Sequence, residues 1–172
     1  MSQKVIFRHI IDSPCGKLIL SSDKTRLYTC DWANNPHRQL IDRKLATILN
    51  AVFVDESVDT IQKTEYQLSE YFIGRRKTFD LPIEFIGTEF QKSVWTELCS
   101  LKYGETSTYS DIACSLGLNN SVRAVANAIA LNPLSIIVPC HRVIGRNNLL
   151  TGYAGGIEAK KKLLKIESSN SQ

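Results

Sequence analysis

The sequence contains no stretch that approaches the roughly 20 apolar residues needed to cross a bilayer. Residues 1–4 also lack the apolar core of a signal peptide. We therefore expect a cytoplasmic protein without membrane contact. The cysteines are an odd and irregularly spaced set, which favours a reducing compartment over a disulfide framework. They are Cys15, Cys30, Cys99, Cys114 and Cys140.

The sequence also has no compact metal-binding motif. A site in the first part of the chain could be drawn only from His9, Cys15, Cys30 and His37. Their spacing resembles neither paired Cys-x-x-Cys nor another compact zinc motif. We therefore predict no metal and no cofactor.

The composition is that of a globular protein with a modest positive charge. At 172 residues, 43% of them hydrophobic, the chain is long enough for one or two compact domains. The net charge of +4 permits a polyanionic partner without requiring one. The short basic runs at 75–77 and 160–162 are interpreted as solvated surface.

Residues 1–86 have the pattern of a small α/β domain. Three predicted strands, separated by turn-forming residues, indicate a small antiparallel sheet. Two amphipathic helices are predicted to follow, and Gly74 is placed to end the second. No site is recognisable in this domain, so we expect it to have a supporting role. The strands cover residues 5–11, 18–21 and 27–31, and the apolar positions of the helices span 41–53 and 61–72.

An extended segment around Pro82 separates this part from a second domain, residues 87–172. Thr88 can cap the first helix of that domain. The apolar residues that follow recur at helical spacing and predict a stripe that faces the core. They are Phe90, Val94, Leu98 and Leu101.

Two further helices with a short turn between them predict a helix-turn-helix. Thr108 and Asp111 resemble a capping box, and the first helix should end near Gly117. Ser121 can cap the second helix. The predicted class is therefore α+β, with a mainly helical second domain. One face of the second helix is apolar and consists of Val122, Val125 and Ile129.

The opposite face of that helix indicates how the pair would meet DNA. A helix-turn-helix usually places its second helix in a DNA groove. Arg123, Ala124 and Asn127 point away from the apolar face. Ala124 and Ala128 cannot read base edges through hydrogen bonds, but they permit close approach to the backbone or the minor groove. We expect shape, rather than sequence, to be recognised.

The run 136–143 contains the candidate for chemistry. A strand-like apolar stretch ends at Pro139 and places Cys140 beside His141 and Arg142. The thiolate is the attacking form of cysteine, and cationic neighbours or a histidine proton acceptor raise its fraction at neutral pH. The pattern therefore favours a nucleophile over the alternative, a buried structural cysteine.

The segment from Pro139 to Val143 resembles the acceptor motif of the methylated-DNA-protein-cysteine S-methyltransferases, also called O6-alkylguanine-DNA alkyltransferases. The resemblance runs from residue 88 to residue 167. Its other matches, in order, are Thr88, Phe90, Gln91, Val94, Trp95, Leu98, Gly104, Tyr109, 123–125, Asn132, Pro133 and 152–156.

The resemblance implies DNA repair by direct and irreversible transfer of a methyl or larger alkyl group to Cys140 from O6-alkylguanine, and also from O4-alkylthymine. The protein would act once and need no cofactor. A ribonuclease-like first domain and a monomer that contacts the minor groove of double-stranded DNA are also implied. Because guanine O6 is embedded in the paired stack, the base must be flipped out before a thiolate can reach it. The sequence leaves open the preference between alkyl groups and between the two lesions.

The resemblance also implies roles for individual residues. A relay of His141, a water and Glu167 would activate Cys140, and Asn132 would be a hinge between the DNA-reading helix and the thiol. Tyr109 would push on the phosphate or protonate the departing guanine. The implied base pocket is Tyr109, Val143, Tyr153, Ala154 and Gly155, and the implied DNA contacts are Tyr109, Ser110, Ala124, Asn127 and Arg123, the last as a finger that enters the stack.

Three other classes of protein compete with this interpretation. An alkyltransferase-like damage-binding protein replaces the reactive cysteine, whereas Cys140 is present. A cysteine hydrolase requires an oxyanion hole and a long separation between nucleophile and histidine. A transcription regulator that senses alkylation carries a cysteine-rich zinc module, and none precedes residue 80.

Overall fold

The structure is a computed structural model that describes residues 3–171. It has the α+β class expected from the sequence, with a sheet in the first part and mainly helices in the second. The strands are β1 (Lys4–Ser13), β2 (Gly16–Ser22), β3 (Leu27–Trp32), β4 (Ala51–Asp55), β5 (Ser107–Thr108) and β6 (Val143–Ile144). The helices are α1 (Arg38–Leu49), α2 (Asp59–Phe72), α3 (Glu89–Leu98), α4 (Tyr109–Ser115), α5 (Val122–Ala130) and α6 (Ile157–Ser169), with 3₁₀ turns at Asn119–Ser121, Cys140–Arg142 and Arg146–Asn148.

The sheet is mixed rather than purely antiparallel. Its order is β3-β2-β1-β4, and the three strands predicted from the sequence pair antiparallel, whereas β4 runs parallel to β1. The sequence pattern was wrong in extending α1 to Phe53. The helix ends at Leu49 because Asn50 adopts a left-handed conformation with φ of 47°, which asparagine tolerates. Val52 and Phe53 have the helical spacing by chance, and their side chains suit a strand equally well.

The free edge of β3 joins the two parts of the chain. Leu27 donates its backbone N–H to Pro82, and Cys30 donates to Pro133, each over 2.9 Å. These bonds cover an edge that would otherwise expose unpaired backbone groups. Buried side chains from both parts also form one continuous hydrophobic core, which includes Leu18, Leu20, Trp32, Val94, Leu98, Val125 and Leu163.

The helix-turn-helix is present as α4 and α5. Thr88 caps α3 and a capping box begins α4 at Thr108, as predicted, and Gln91 completes a capping box at Thr88 as well. Ser121 makes no side-chain capping bond, because a 3₁₀ turn leads directly into α5. The indole N–H of Trp95 donates to the carbonyl oxygen of Ala128 over 2.8 Å and thereby fixes α5 against α3.

Two residues lie on different faces from those predicted. Phe90 is 37% exposed, although Val94 and Leu98 of the same stripe are buried. Steps of four residues rotate by about 40° per step around an α-helix, so the stripe drifts away from the buried face. Ala128 is buried, since it lies three residues after Val125 and its small side chain permits the close approach of α3.

Across residues 3–171, no helix combines the length and the apolar character of a membrane span.

Gly155 provides the first testable contact, because the loop before α6 meets β3 there. A Cβ atom at position 155 would lie 2.5 Å from Cδ2 of the Trp32 indole. We expect Gly155→Ala to lower the free energy of unfolding in urea by about 1–3 kcal/mol, the usual range for overpacking. In a Trp32→Leu background the same change should cost much less. Equal costs in the two backgrounds would contradict this contact.

Candidate active site around Cys140

A tight turn, rather than the predicted strand, precedes Pro139. The Val138 N–H donates to the carbonyl oxygen of Leu134 over 2.8 Å, and Ile136 has a φ of +71°. A positive φ is a strained conformation for a β-branched residue, and such strain persists only where the surroundings enforce it. Burial of the Ile136 side chain supplies that constraint. The turn runs directly into the 3₁₀ turn Cys140–Arg142, so its residues do not alternate across a strand.

Asn132 fixes this turn to the end of α5. Its Oδ1 accepts the N–H of Leu134, and its Nδ2 donates to the carbonyl oxygen of Val138, each over 3.0 Å. The side chain is buried, so neither bond competes with water. The sequence analysis placed a hinge at this residue, and in the resting protein the bonds form a fixed connection between α5 and the turn before Cys140.

Cys140 lies at a cavity of about 470 Å³ beside the exposed face of α5. This volume is within the range of small-molecule sites, about 300–1,000 Å³. Pro36 and His37, from the first part of the chain, also line the cavity, although the sequence showed no site there. The predicted site residues that line it are Tyr109, Asn127, Asn132, Cys140, Tyr153 and Ala154.

Asn127 connects the cavity to the exposed face of α5, because it is exposed and also lines the cavity. The DNA-facing surface predicted from the sequence is thus next to the cavity that holds the thiol. The other residues predicted to bind the base or DNA do not line the cavity. Val143 contacts Lys160, and Gly155 contacts Trp32. Ser110 lies on α4, and Arg123 and Ala124 lie on α5.

Burial keeps the thiol of Cys140 protonated. The side chain is only 6% exposed, and burial raises its pKa to about 11, against opposing effects of the Asn132 side chain and the Lys160 charge. A thiol with this pKa is almost entirely un-ionised at neutral pH. The sequence offered two ways to raise the thiolate fraction, cationic neighbours or a histidine proton acceptor, and the cationic neighbours do not ionise Cys140 in the resting protein. Attack on an electrophile requires a base.

The carboxylate of Glu167 is the centre of a buried hydrogen-bond cluster. Its Oε1 is 2.6 Å from Nε2 of His141 and accepts the Tyr71 hydroxyl over 2.7 Å. Its Oε2 accepts Nε of Arg142 over 2.9 Å and the backbone N–H of Gly104 over 3.0 Å. Burial alone would raise the pKa of Glu167, but the hydrogen bonds from His141 and Arg142 and the charge of Arg142 hold it well below its usual range. The carboxylate is therefore ionised inside the protein.

The ionised carboxylate determines the tautomer of His141. Because Glu167 can only accept, Nε2 carries the ring proton and Nδ1 is left with its lone pair; this tautomer is assigned from the hydrogen bonds. In the part of the chain that the structure describes, the buried Nδ1 has no hydrogen-bond partner. Burial lowers the pKa of His141 in spite of the opposing effect of Glu167. The resting imidazole is thus a neutral base, one residue along the chain from Cys140.

Lys160 is buried, although the sequence interpretation placed it in a solvated basic run. Its Nζ donates to the carbonyl oxygens of Val143 and Thr151 over 2.6 and 2.9 Å, and burial lowers its pKa to about 8. Lys160 thereby joins the strand after Cys140 to the loop that lines the cavity. Helical periodicity could have located it, because Lys160 shares a face of α6 with Leu163 and Glu167.

Tyr71 is the second buried polar residue that the sequence analysis did not identify. It lies in α2, and its hydroxyl is 2.7 Å from Oε1 of Glu167 and 3.4 Å from Nε2 of His141. Its position three residues after Leu68 places it on the inward face of α2. That spacing predicts burial, but only the fold shows that its hydroxyl meets Glu167.

Two tyrosines line the cavity near the thiol. The hydroxyl of Tyr109 donates to the carbonyl oxygen of Thr151 over 3.4 Å, and burial raises its pKa, so it is protonated at neutral pH. The ring of Tyr153 packs edge-on against Trp32 with centroids 5.9 Å apart. Tyr153 is thereby fixed by a residue of β3.

The five cysteines are all free thiols. Within residues 3–171, no three His, Cys, Asp or Glu side chains form a group that could hold a metal ion.

Family models match both parts of the chain. Residues 6–85 match the family described as 6-O-methylguanine DNA methyltransferase, ribonuclease-like domain. Residues 89–169 match the family described as 6-O-methylguanine DNA methyltransferase, DNA binding domain.

Curated relatives and solved structures resemble the chain over most of its length. A methylated-DNA–protein-cysteine methyltransferase of Methanosarcina barkeri is 42% identical over 165 residues, which cover 96% of this chain and 99% of the relative. The inducible protein of the same name from Bacillus subtilis is 42% identical over 134 residues, 78% of this chain and 74% of the relative. The crystal structure of Mycobacterium tuberculosis OGT in complex with DNA has a TM-score of 0.82 at 36% identity and covers 95% of this chain and 94% of that one. O6-methylguanine-DNA methyltransferase from Pyrococcus kodakaraensis has a TM-score of 0.68 at 28% identity, with coverage of 94% and 98%.

The buried charge of Glu167 makes the stability of the fold depend on pH. Glu167→Gln should destabilise the protein at pH 7 by about 3–5 kcal/mol, because Arg142 loses its buried partner. Since the folded-state pKa of Glu167 lies below its usual value of 4.5, its contribution is present above that pH and is lost as the pH falls further. Stability measured in urea should therefore fall more steeply below pH 5 in the wild-type protein than in E167Q. Glu105→Gln, at an exposed position, is the control; equal pH dependence in wild type and E167Q would contradict the assignment.

Proposed function

Because the chain belongs to the methylated-DNA–protein-cysteine methyltransferase family, we propose that it repairs DNA by moving an alkyl group from O6-alkylguanine to the sulfur of Cys140. One observation carries this proposal: a buried thiol lies at a cavity beside a helix-turn-helix, next to a neutral histidine that an ionised glutamate orients. O4-alkylthymine is the proposed second substrate. No cofactor takes part.

The transfer is a single displacement. The proton of the Cys140 thiol moves to Nδ1 of His141 through a water between them, and Glu167 stabilises the imidazolium. A bond forms between the sulfur and the alkyl carbon as the bond from that carbon to O6 breaks, and the electron pair stays on the guanine. The hydroxyl of Tyr109 then protonates the departing base, and the tyrosinate regains a proton from the imidazolium through solvent. The resulting thioether is not readily cleaved back to a thiol, so each molecule acts once.

The substrate is a base flipped out of double-stranded DNA. We place α5 in the minor groove, where Arg123 fills the position that the base has left and Ala124 permits close approach. Asn127 supports this placement, because it belongs to both the exposed face of α5 and the cavity. Ser110 lies in the other helix of the pair and would contact the same DNA. The crystal structure of the Mycobacterium tuberculosis relative contains DNA.

Inside the cavity, Tyr153 and Ala154 would form the wall against the flipped base. Val143 and Gly155 would support that wall from behind, since they contact Lys160 and Trp32. Asn132 would act as the hinge that relates the position of α5 to that of Cys140, through its bonds to the turn.

We also propose that residues 1–86 and 87–172 are a supporting and a catalytic domain of a monomer. The two family models, which meet between residues 85 and 89, support this division. The cytoplasm is the proposed compartment, because Cys140 must stay reduced and all the cysteines are free.

Mass analysis can locate the transferred group. A duplex with one O6-methylguanine, mixed in excess with the protein, should place one methyl per molecule on the peptide that contains Cys140. Cys140→Ser should transfer none, whereas Cys99→Ser, which removes an exposed thiol, should behave as the wild type. Repeated turnover, or a methyl group on another residue, would overturn the proposed function.

The role of Arg123 can be separated from the chemistry at the sulfur. Arg123→Ala should lower the rate of transfer from a duplex by about tenfold or more, because extrusion of a base costs a few kcal/mol and the vacated stack is no longer filled. Transfer from free O6-benzylguanine should be unchanged, because a free base does not have to be extruded from a duplex. Arg43→Ala, an exposed arginine on α1, is the matched control. An equal loss with both substrates would contradict the proposed finger.

A further inference from the structure

We propose that Tyr71, from the first part of the chain, is a positioning residue of the proton relay: its hydroxyl holds Oε1 of Glu167 where that oxygen orients His141. The inference rests on the proposed alkyl transfer and deepens it. It assigns a part in the reaction to residues 1–86, for which only a supporting role was expected.

The geometry places the Tyr71 hydroxyl at the contact between glutamate and histidine. The oxygen of Tyr71 is 2.7 Å from Oε1 of Glu167, and Nε2 of His141 is 2.6 Å from the same Oε1. The tyrosine oxygen is also 3.4 Å from Nε2. All three side chains are fully buried, so water cannot replace the hydroxyl as a donor. Tyr71 has a single proton to donate, and Glu167 receives it.

Packing fixes the ring of Tyr71. Its centroid lies 5.5 Å from that of Phe72, 5.6 Å from that of Phe79 and 6.1 Å from that of Tyr103. Burial and the charge of Glu167 raise the pKa of Tyr71 well above its usual value. The hydroxyl therefore stays protonated, and stays in place, at every pH at which the protein would react.

Removal of this one hydroxyl should change the proton affinity of His141. Oε1 now accepts three donors, the Tyr71 hydroxyl, Nε2 of His141 and Nη2 of Arg142. Without Tyr71, more of its negative charge falls on the bonds to the imidazole and the guanidinium. The imidazolium is then favoured, and the pKa of His141 rises. The titratable and charged side chains that face the glutamate–histidine pair are Tyr71, Tyr103, Arg142, Tyr153, Lys160 and Cys140. A Tyr71→Phe substitution leaves all the others unchanged.

Tyr103 provides a matched control. Its ring packs edge-on against that of Tyr71, and within residues 3–171 its buried hydroxyl has no hydrogen-bond partner. Tyr103→Phe thus removes a buried hydroxyl from the same aromatic cluster without removing a hydrogen bond from the relay. A purely structural role of Tyr71 predicts the same kinetic behaviour for both variants.

The experiment is a pH–rate profile of methyl transfer from a duplex with one O6-methylguanine. For Y71F, the rising limb of the rate should move to higher pH by about 0.5–1 unit, a fraction of the effect of a full hydrogen bond to a charged group. Transfer at pH 6 should slow severalfold relative to pH 8.5. Y103F should have the wild-type profile. In the protein without DNA, NMR titration of the His141 ring should show the same upward shift in Y71F and no shift in Y103F.

Unchanged profiles and an unchanged His141 titration in Y71F overturn the inference, even if its thermal stability falls. Should Y71F fail to fold, the wild-type protein decides: a slowly exchanging hydroxyl proton of Tyr71 close to the His141 ring supports the inference, and its absence overturns it. A wild-type protein that transfers nothing overturns the proposed function and this inference together. A wild-type protein that transfers, with a Y71F profile like its own, overturns the inference alone.

Discussion

The buried carboxylate of Glu167 is the constraint on which the site depends. A buried charge is tolerated only if its hydrogen-bonding capacity is satisfied and an opposite charge compensates it. Arg142 supplies the compensating charge, and Tyr71, Gly104 and His141 supply the remaining contacts. Because Arg142 already neutralises the carboxylate, His141 does not have to be charged to be held there. It can remain a neutral base, which is the form a proton acceptor needs.

This arrangement explains how a thiol whose pKa is strongly raised can still be the reaction centre. A cysteine made permanently ionic by cations would also react with oxidants and stray electrophiles, since the thiolate is the reactive form. Burial of Cys140 suppresses that form. The proton then leaves only towards a base that is already oriented, when an electrophile occupies the cavity. Lys160 does not overcome the effect of burial on the thiol, and its Nζ is engaged by two carbonyl oxygens.

The parts of the fold that local sequence determines were predictable. The capping boxes at Thr88 and Thr108 and the amphipathic face of α5 each depend on residues within one or two turns. The boundary of α1 was missed because Val52 and Phe53 satisfy two periodicities, and Asn50 decides between them only through its left-handed backbone. The turn at Ile136 was missed because its apolar residues suit a strand and the strain is imposed by tertiary packing.

The sequence predicted which residues form the candidate site better than it predicted the protonation state of the Cys140 thiol. The motif around Cys140 identified the nucleophile and its histidine, and family resemblance added Glu167. The sequence nevertheless left open whether cationic neighbours or a histidine base would ionise the thiol, because the depth of burial and the partner of Arg142 are properties of the fold. The contact between Tyr71 and Glu167 joins residues separated by 96 positions, and no local pattern encodes it.

A protein that acts once, as proposed, has no need to release product or reopen its site. Product release and lid opening limit many enzymes, and they require mobile elements near the reacting groups. In the resting protein the surroundings of Cys140 are instead fixed by contacts: Asn132 holds the turn before it, Ile136 is buried in a strained conformation, and Lys160 joins the strand after it to the loop at Thr151. Fixed contacts of this kind favour an orientation of the reacting groups that is set before the substrate arrives, which lowers the barrier to a displacement. Trp32 and Tyr71 extend this set of contacts into the first part of the chain, so the geometry of the reaction centre is a property of the whole fold.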